Sequence, residues 1–205
     1  MPKKIDHEAR KERILQTALK VFAREGYKDA NLSLIALECG ISRPTIYQYF
    51  RDKEEIYYFA VKLVTGRMFF KYAEYAWNSN DPIIKRIATI CVDIIDTAVR
   101  HKAELTALMD VMLQLKKEGL VFSDVILKRT VKLHILFKRL LRLGISEQVI
   151  VECDINRVTQ HLVLLLESFC FHLAILENFD HEGSKEVVHN YLEFLKPKRD
   201  RNPIM

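Results

Sequence analysis

Residues 31–56 read NLSLIALECGISRPTIYQYFRDKEEI, a stretch that places aromatic rings and cations side by side on short helical segments. Asn31 and Ser42 carry side chains that are preferred at helix N-caps, because their oxygens accept hydrogen bonds from free backbone amides. Pro44 falls in the first turn of the helix that Ser42 would open, where a proline costs no hydrogen bond. The stretch therefore predicts two short helices, the second over 43–50.

The turn between these two helices is short enough to bring them into contact. Ala36 and Gly40 are four residues apart, and small residues at that spacing let two helices cross closely. A small core shared with the preceding helix would be formed by four apolar side chains, those of Ile35, Ile41, Ile46 and Phe50. The arrangement is a helix-turn-helix, with a first helix ending near Cys39 and a second helix beginning at Arg43.

Longer helices are predicted on both sides of this motif. The segment 6–25 has apolar residues at helical spacing, and Gly26 follows it in the place of a C-terminal cap. Asp52 and Glu55 have the spacing of a capping box, which predicts the start of a long helix that continues to about Trp77.

Most of the excess positive charge lies in this first quarter of the chain. The whole chain has 32 Lys and Arg against 27 Asp and Glu, and residues 1–53 hold 11 of the basic and 7 of the acidic side chains. Four of the five net positive charges therefore belong to the first 53 residues. A basic head is typical of a protein that contacts nucleic acid, although a solvated basic face is the alternative that charge alone leaves open.

The rest of the chain has a hydrophobic period of 3.6 residues, and helix breakers are rare, with 6 Gly and 5 Pro in the whole chain. The pattern predicts an all-α protein of about nine helices, with later helices over 81–101, 102–118, 121–143, 146–152, 154–179 and 184–196. The expected domains are a three-helix head, a larger helical domain and a basic C-terminal tail, covering 1–52, 53–196 and 197–205.

Several classes of protein and site are disfavoured by the sequence. The N-terminus is charged, and no uninterrupted apolar run reaches the roughly 18 residues of a membrane span, so we expect a cytoplasmic protein without a membrane partner. Cysteine pairs of the CxxC type are absent, and the four cysteines are expected to be buried reduced thiols. No metal or other cofactor is predicted. A carboxylate-bridged enzyme would need a second Glu-x-x-His pair to match Glu186 and His189.

The second helix of the helix-turn-helix offers side chains suited to DNA. Arg43 has the geometry to bond guanine, Gln48 to bond adenine, and the Thr45 methyl group to contact thymine in the major groove. The hydroxyls of Tyr47 and Tyr49 are suited to phosphate oxygens, and so is the Lys53 ammonium at a helix N-terminus.

Residues 10–56 resemble the DNA-binding head of the TetR family of bacterial transcription regulators. The resemblance rests on RILQTALKVFAREGY, NLSLIALECGIS and RPTIYQYFRDKEEIY, in which order, spacing and residue type agree with the family. The chain departs from the family pattern at Asn31, Leu34 and Cys39. The resemblance implies a transcriptional repressor and DNA contacts by seven residues: Arg43, Pro44, Thr45, Tyr47, Gln48, Tyr49 and Lys53.

The resemblance also implies a homodimer, formed by the two C-terminal helices of each subunit on a pseudo-palindromic operator. The interface candidates are Leu162, Leu166, Phe169, Leu173, Val188, Tyr191, Leu192 and Leu195.

A small, largely apolar or aromatic effector is expected to bind the larger domain and release the DNA. Candidates for its pocket are Phe69, Phe70, Tyr72, Trp77, Met109, Met112, His134, Phe137, Phe171 and His172, although such residues are also typical of a plain core. A protein-interaction or ligand-binding module whose DNA-binding head has lapsed is the alternative.

Overall fold

The structure is a computed structural model that describes residues 6–117 and 123–198, without the side chains of 64–69 and 123–129. This part of the chain contains nine α-helices and no strand, which confirms the all-α prediction. The helices are α1 His7–Asp29, α2 Leu32–Cys39, α3 Arg43–Tyr47, α4 Lys53–Asn78, α5 Ile83–Arg100, α6 Lys102–Lys117, α7 Ser123–Ser146, α8 Ile155–Ile175 and α9 His181–Glu193.

The chain divides into two compact units. The head unit comprises Met1–Arg67 and Ala103–Ile126, and the body unit comprises Met68–Lys102 and Leu127–Met205. Because α4 contributes residues to both units, it connects them covalently as one helix. The predicted functional boundary at residue 52 stays a prediction, and the predicted basic tail lies outside the described residues from 199 onward.

Three helices of the head surround one core. Asp6 caps α1 by accepting a hydrogen bond from the Ala9 amide, and the helical path breaks at Gly26, where φ is +75°. A further turn then continues to Asp29. The core joins α1 to both helices of the helix-turn-helix, and its fully buried members include Ile14, Val21, Phe22, Ile35, Ala36, Ile46 and Phe50.

The boundaries at the end of α7 differ from the prediction. The helix does not end before Gly144 but passes through it to Ser146, and the separate short helix predicted over 146–152 is not formed. A Cβ atom on Gly144 would lie 2.5 Å from Cδ1 of Ile150, so the glycine is needed for close approach of the returning chain. The Gly144 carbonyl then accepts hydrogen bonds from the amides of Val149 and Ile150.

The start of α9 also differs, since its cap is Asp180 rather than Ser184. The Asp180 carboxylate accepts a hydrogen bond from the Gly183 amide at 2.9 Å, and Gly183 leaves room for it because a Cβ there would lie 2.1 Å from an Asp180 oxygen. Ser184 lies inside the helix, where its hydroxyl donates to the Asp180 carbonyl. Both residues are good caps by type, and the glycine decides between them.

The body unit packs α5 against α8 and α9 around a second apolar core. By length and composition α8 would also suffice to cross a membrane, since its 18-residue window has a mean hydropathy of 1.5. Only a third of that window is buried, although Val158, Leu162, Val163, Leu166 and Leu173 are buried side chains of the helix. The helix is therefore apolar on more than the face that the body unit covers.

The four cysteines should react slowly with thiol reagents while the protein is folded. Burial raises the pKa of Cys91 to about 12 and that of Cys170 to about 11, and the pKa of the partly buried Cys153 is also raised. Cys39 is buried. Since the thiolate is the reactive form, Ellman's reagent at pH 8 should label the native protein slowly and the denatured protein at once. Rapid labelling of one native thiol would identify a candidate redox sensor.

Candidate nucleic-acid interface

The second helix of the helix-turn-helix, α3, is opened by its N-cap and held by one buried side chain. The Ser42 hydroxyl accepts a hydrogen bond from the Thr45 amide at 3.3 Å and lies 2.8 Å from the Thr45 hydroxyl. Ile46 is completely buried in the head core, which fixes the rotation of the helix about its axis. The opposite side is exposed and carries four of the predicted DNA contacts, Arg43, Pro44, Tyr47 and Gln48. Regular helix ends at Tyr47, three residues before the predicted end.

Tyr49 is placed differently from the other predicted contacts. Its ring is partly buried against the head core, and its hydroxyl lies 2.9 Å from Nδ1 of His7 on α1. The rings of the two residues are also adjacent, with centroids 5.9 Å apart. Tyr49 therefore links the end of the recognition segment to the start of α1, and its contact with DNA stays a prediction.

Lys53 begins α4 beside a predicted capping box. Asp52 accepts a hydrogen bond from the Glu55 amide at 2.7 Å, as predicted, whereas Glu55 accepts one from the amide of Arg51 at 2.7 Å rather than from that of the cap residue Asp52. Partial burial alone would raise the pKa of Asp52, but the Arg51 guanidinium and the Glu55 amide more than offset it, and the pKa is lowered. The carboxylate therefore stays charged at neutral pH and caps the helix.

Tyr47 and Lys53 line one surface groove of the head, together with Asn31 and Arg51. The Lys53 ammonium does not point freely into this groove, because it lies 2.8 Å from the carbonyl oxygen of Tyr27. The structure thus brings two of the three predicted phosphate contacts, Tyr47 and Lys53, to one groove, while Lys53 already contacts the backbone of its own chain.

Two arginines near the turn were not among the sequence-predicted contacts. Arg10 and Arg13 lie one turn apart on α1 and line a groove with Gly40 and Ile41, at the turn between α2 and α3. The basic N-terminal composition was the available signal, but a charge count does not say which cations the fold places beside the turn. The groove adds positive charge next to the recognition helix.

The predicted effector-pocket residues belong to both units and differ in burial. Tyr72 and Phe137 lie in the body core, whereas Phe70, Trp77 and Phe171 are 73%, 43% and 53% exposed. The remaining candidates are distributed as follows: Met109 and Met112 belong to α6 in the head unit, His134 is half-buried, His172 is exposed, and the side chain of Phe69 lies outside the described residues.

Two hydroxyls in the body unit are buried without a hydrogen-bond partner in the described part of the chain. They are the Tyr72 hydroxyl and the Thr159 hydroxyl, and Thr159 is completely buried. Burial raises the pKa of Tyr72 and the Asp93 carboxylate raises it further, whereas the Thr97 hydroxyl lowers it; neither of these side chains makes a hydrogen bond of standard geometry to the phenol, which stays neutral. Buried polar groups normally have a partner, and these two are therefore the polar atoms of this core that a bound molecule would satisfy most readily.

Most of the side chains predicted for the dimer interface are covered within one chain. Leu162, Leu166, Val188, Leu192 and Leu195 are each less than 10% exposed in the body core, Phe169 and Tyr191 are partly buried against it, and Leu173 is also buried. Tyr191 also lies 3.1 Å from Nδ1 of His161. Because α8 and α9 are apolar on two faces, the hydrophobic period could not show which face the monomer buries. The uncovered apolar side chains are Leu164, Phe171, Ile175, Leu176, Val187 and Phe194.

The N-terminal part of the chain matches known regulators in sequence. Residues 14–58 match the sequence model of a family described as bacterial regulatory proteins, tetR family. The transcriptional regulator PksA of Bacillus subtilis is 39% identical over 68 residues, which are 33% of this chain and 33% of PksA. The chain thus matches about a third of the length of this curated relative.

The whole chain resembles solved structures in fold. A TetR transcription regulator from Haloarcula marismortui superimposes with a TM-score of 0.82 and 17% identity, over 93% of this chain and all of that one. The fatty acid degradation regulator FadR from Bacillus halodurans gives a TM-score of 0.72 and 20% identity, over 98% of this chain and all of FadR. At these identities the likeness is one of fold.

Proposed function

We propose that the chain represses transcription as an effector-controlled dimer, because residues 14–58 match the tetR family in sequence and the fold resembles that of TetR regulators. The observation that carries the proposal is the recognition helix. Ile46 anchors α3 in the core, so that Arg43 and Gln48 project from the surface as the side chains best suited to read guanine and adenine. We assign it no catalytic activity and place it in the cytoplasm, where DNA is accessible.

The exposed apolar side chains of α8 and α9 support a dimer. Leu164, Phe171 and Ile175 share one face of α8 and are 52%, 53% and 60% exposed, while Val187 on α9 and Phe194 at its C-cap are exposed and seven residues apart. We call these five residues the outer stripe. Large exposed apolar side chains of this number are costly in water, and a second copy of the chain would cover them.

Dimerisation explains how one short helix per chain could recognise an operator. Two copies related by a two-fold axis present two recognition helices to successive major grooves, with half-sites about 34 Å apart or somewhat more. The expected operator is therefore an inverted repeat.

We place the effector site in the body unit, where Tyr72 and Thr159 offer unsatisfied hydroxyls among apolar side chains. The neighbouring residues favour a largely apolar molecule with a small number of polar groups. Such a ligand would act by stabilising the state in which the two heads no longer match the operator, with α4 as the covalent connection. FadR from Bacillus halodurans, a fatty acid degradation regulator, is one protein of similar fold.

Selection of bound sequences from random duplex DNA tests the proposed function. The purified protein at moderate salt should enrich an inverted repeat, and competition with unrelated duplex should leave that binding intact. No enrichment, with the protein folded and dimeric, would contradict operator binding and favour a module whose DNA-binding head has lapsed.

A further inference from the structure

Lys53 lies at the first position of α4, and its ammonium group is directed at the loop that joins α1 to α2. The nitrogen is 2.8 Å from the carbonyl oxygen of Tyr27, 3.3 Å from that of Lys28 and 3.4 Å from that of Ala30. It also lies 4.3 Å from the centroid of the Tyr27 ring. An ammonium has three N–H donors, so these three carbonyls are enough to occupy it.

The next residue on α4, Glu54, contacts the hydroxyl of the same tyrosine. The Tyr27 hydroxyl donates a hydrogen bond to Oε1 of Glu54 at 2.8 Å. The Tyr27 ring is 5% exposed and packs against Phe22, with centroids 5.4 Å apart, and against Tyr57, with centroids 6.4 Å apart. Lys53 therefore contacts the backbone of the buried Tyr27, and Glu54 contacts its hydroxyl.

The contact involves the two chain segments that flank the helix-turn-helix. The segment that Lys53 contacts, 27–30, leads directly into Asn31. The Asn31 side chain caps α2 by accepting a hydrogen bond from the Leu34 amide. Lys53 follows α3 by a short turn. The contact thus joins the chain just before the helix-turn-helix to the chain just after it. A cation is also favourable where a helix ends in free carbonyls.

We propose that Lys53, Tyr27 and Glu54 form an internal clasp that sets the position of the helix-turn-helix on α4, and that Lys53 is a positioning residue rather than a phosphate contact. The inference rests on the proposed operator binding. A phosphate group would have to draw the ammonium away from three carbonyls that it already contacts. The clasp acts on DNA only through the placement of α3.

Lys53→Met tests the clasp, because methionine keeps much of the side-chain length and removes the charge. Affinity is measured over a range of salt concentrations, on the selected operator and on an unrelated duplex, well below the melting temperature of the variant. Affinity for the operator should fall about tenfold, with a smaller change on unrelated duplex and an unchanged salt dependence. A lost phosphate contact would instead reduce the slope of log K against log salt by about 0.9 for each contact.

Two other results would overturn the clasp. An equal loss of affinity on the operator and on the unrelated duplex, with a reduced slope of log K against log salt, would show that Lys53 contacts a phosphate. A lower melting temperature, with an unchanged ratio of the affinity for the operator to the affinity for the unrelated duplex, would show that Lys53 serves only the stability of the fold. Lys62→Met is the matched control, since it removes an exposed lysine from the same helix. Tyr27→Phe, which deletes only the hydroxyl, should lower the ratio of operator affinity to unrelated-duplex affinity by less than Lys53→Met does.

Hydrogen exchange separates the clasp from operator binding. The amides of Ala30 and Leu34, which bond to Gly26 and Asn31, should exchange faster in Lys53→Met and at the wild-type rate in Lys62→Met. If the wild-type protein selects no operator, the proposed function fails, and unchanged exchange at these two amides would refute the clasp on its own.

Discussion

Phe171→Glu should give a folded monomer that binds its operator about 100-fold more weakly, or worse. The side chain is 53% exposed in the single chain, so a carboxylate there remains in water and costs the monomer little. In a dimer formed through the outer stripe the same charge would be buried against an apolar partner surface, without a counter-charge. Loss of the dimer removes the gain in affinity that two linked recognition helices provide, which is about 100-fold or more.

Sedimentation and thermal melting check this result together. Phe171→Glu should sediment as a monomer at concentrations where the wild-type protein is a dimer, with helical content retained. Leu166→Glu, five residues earlier, is the matched comparison: Leu166 is 4% exposed in the body core, so this variant should unfold rather than dissociate. A dimeric Phe171→Glu protein would move the interface away from the outer stripe.

Arg43→Ala should relax base preference at one base pair in each half-site. The side chain is exposed at the start of α3, where a guanidinium can bond the O6 and N7 atoms of guanine. Loss of one such bidentate contact costs about 1–3 kcal/mol of discrimination in each half-site. Repeating the DNA selection with the variant should show one flattened position in each half of the inverted repeat, with the other positions unchanged.

Arg51→Ala controls for the loss of a positive charge. Arg51 lies outside α3, its side chain is 84% exposed, and it pairs with Asp52. Its removal should leave the selected sequence unchanged, even if affinity falls slightly on all DNA. If Arg43→Ala and wild-type proteins select identical sequences, Arg43 reads no base, and sequence recognition must come from Gln48 or from residues near the turn such as Arg10 and Arg13.

Local chemistry made the head predictable. The caps at Asn31 and Ser42, the capping box at Asp52 and the break at Gly26 each depend on residues within a few positions of one another. For that reason the sequence alone located the helix-turn-helix and its solvent-facing recognition side.

Side-chain placement across distant segments could not be predicted in the same way. Lys53 looked like a free cation at a helix start, and only the folded chain brings it to the carbonyl oxygen of Tyr27, 26 residues earlier. Gly144 looked like a helix end, whereas it makes room for Ile150.

The amino-acid sequence by itself determined the all-α class, the helix-turn-helix and the residues of the recognition helix, because periodicity and capping are short-range properties. Only the tertiary structure decided which of two apolar faces of α8 lies inside the body unit, leaving Leu166 in the core and Phe171 at the surface. Both faces repeat with the same helical period. Burial depends on which helices pack against them, and that choice is made by the whole chain.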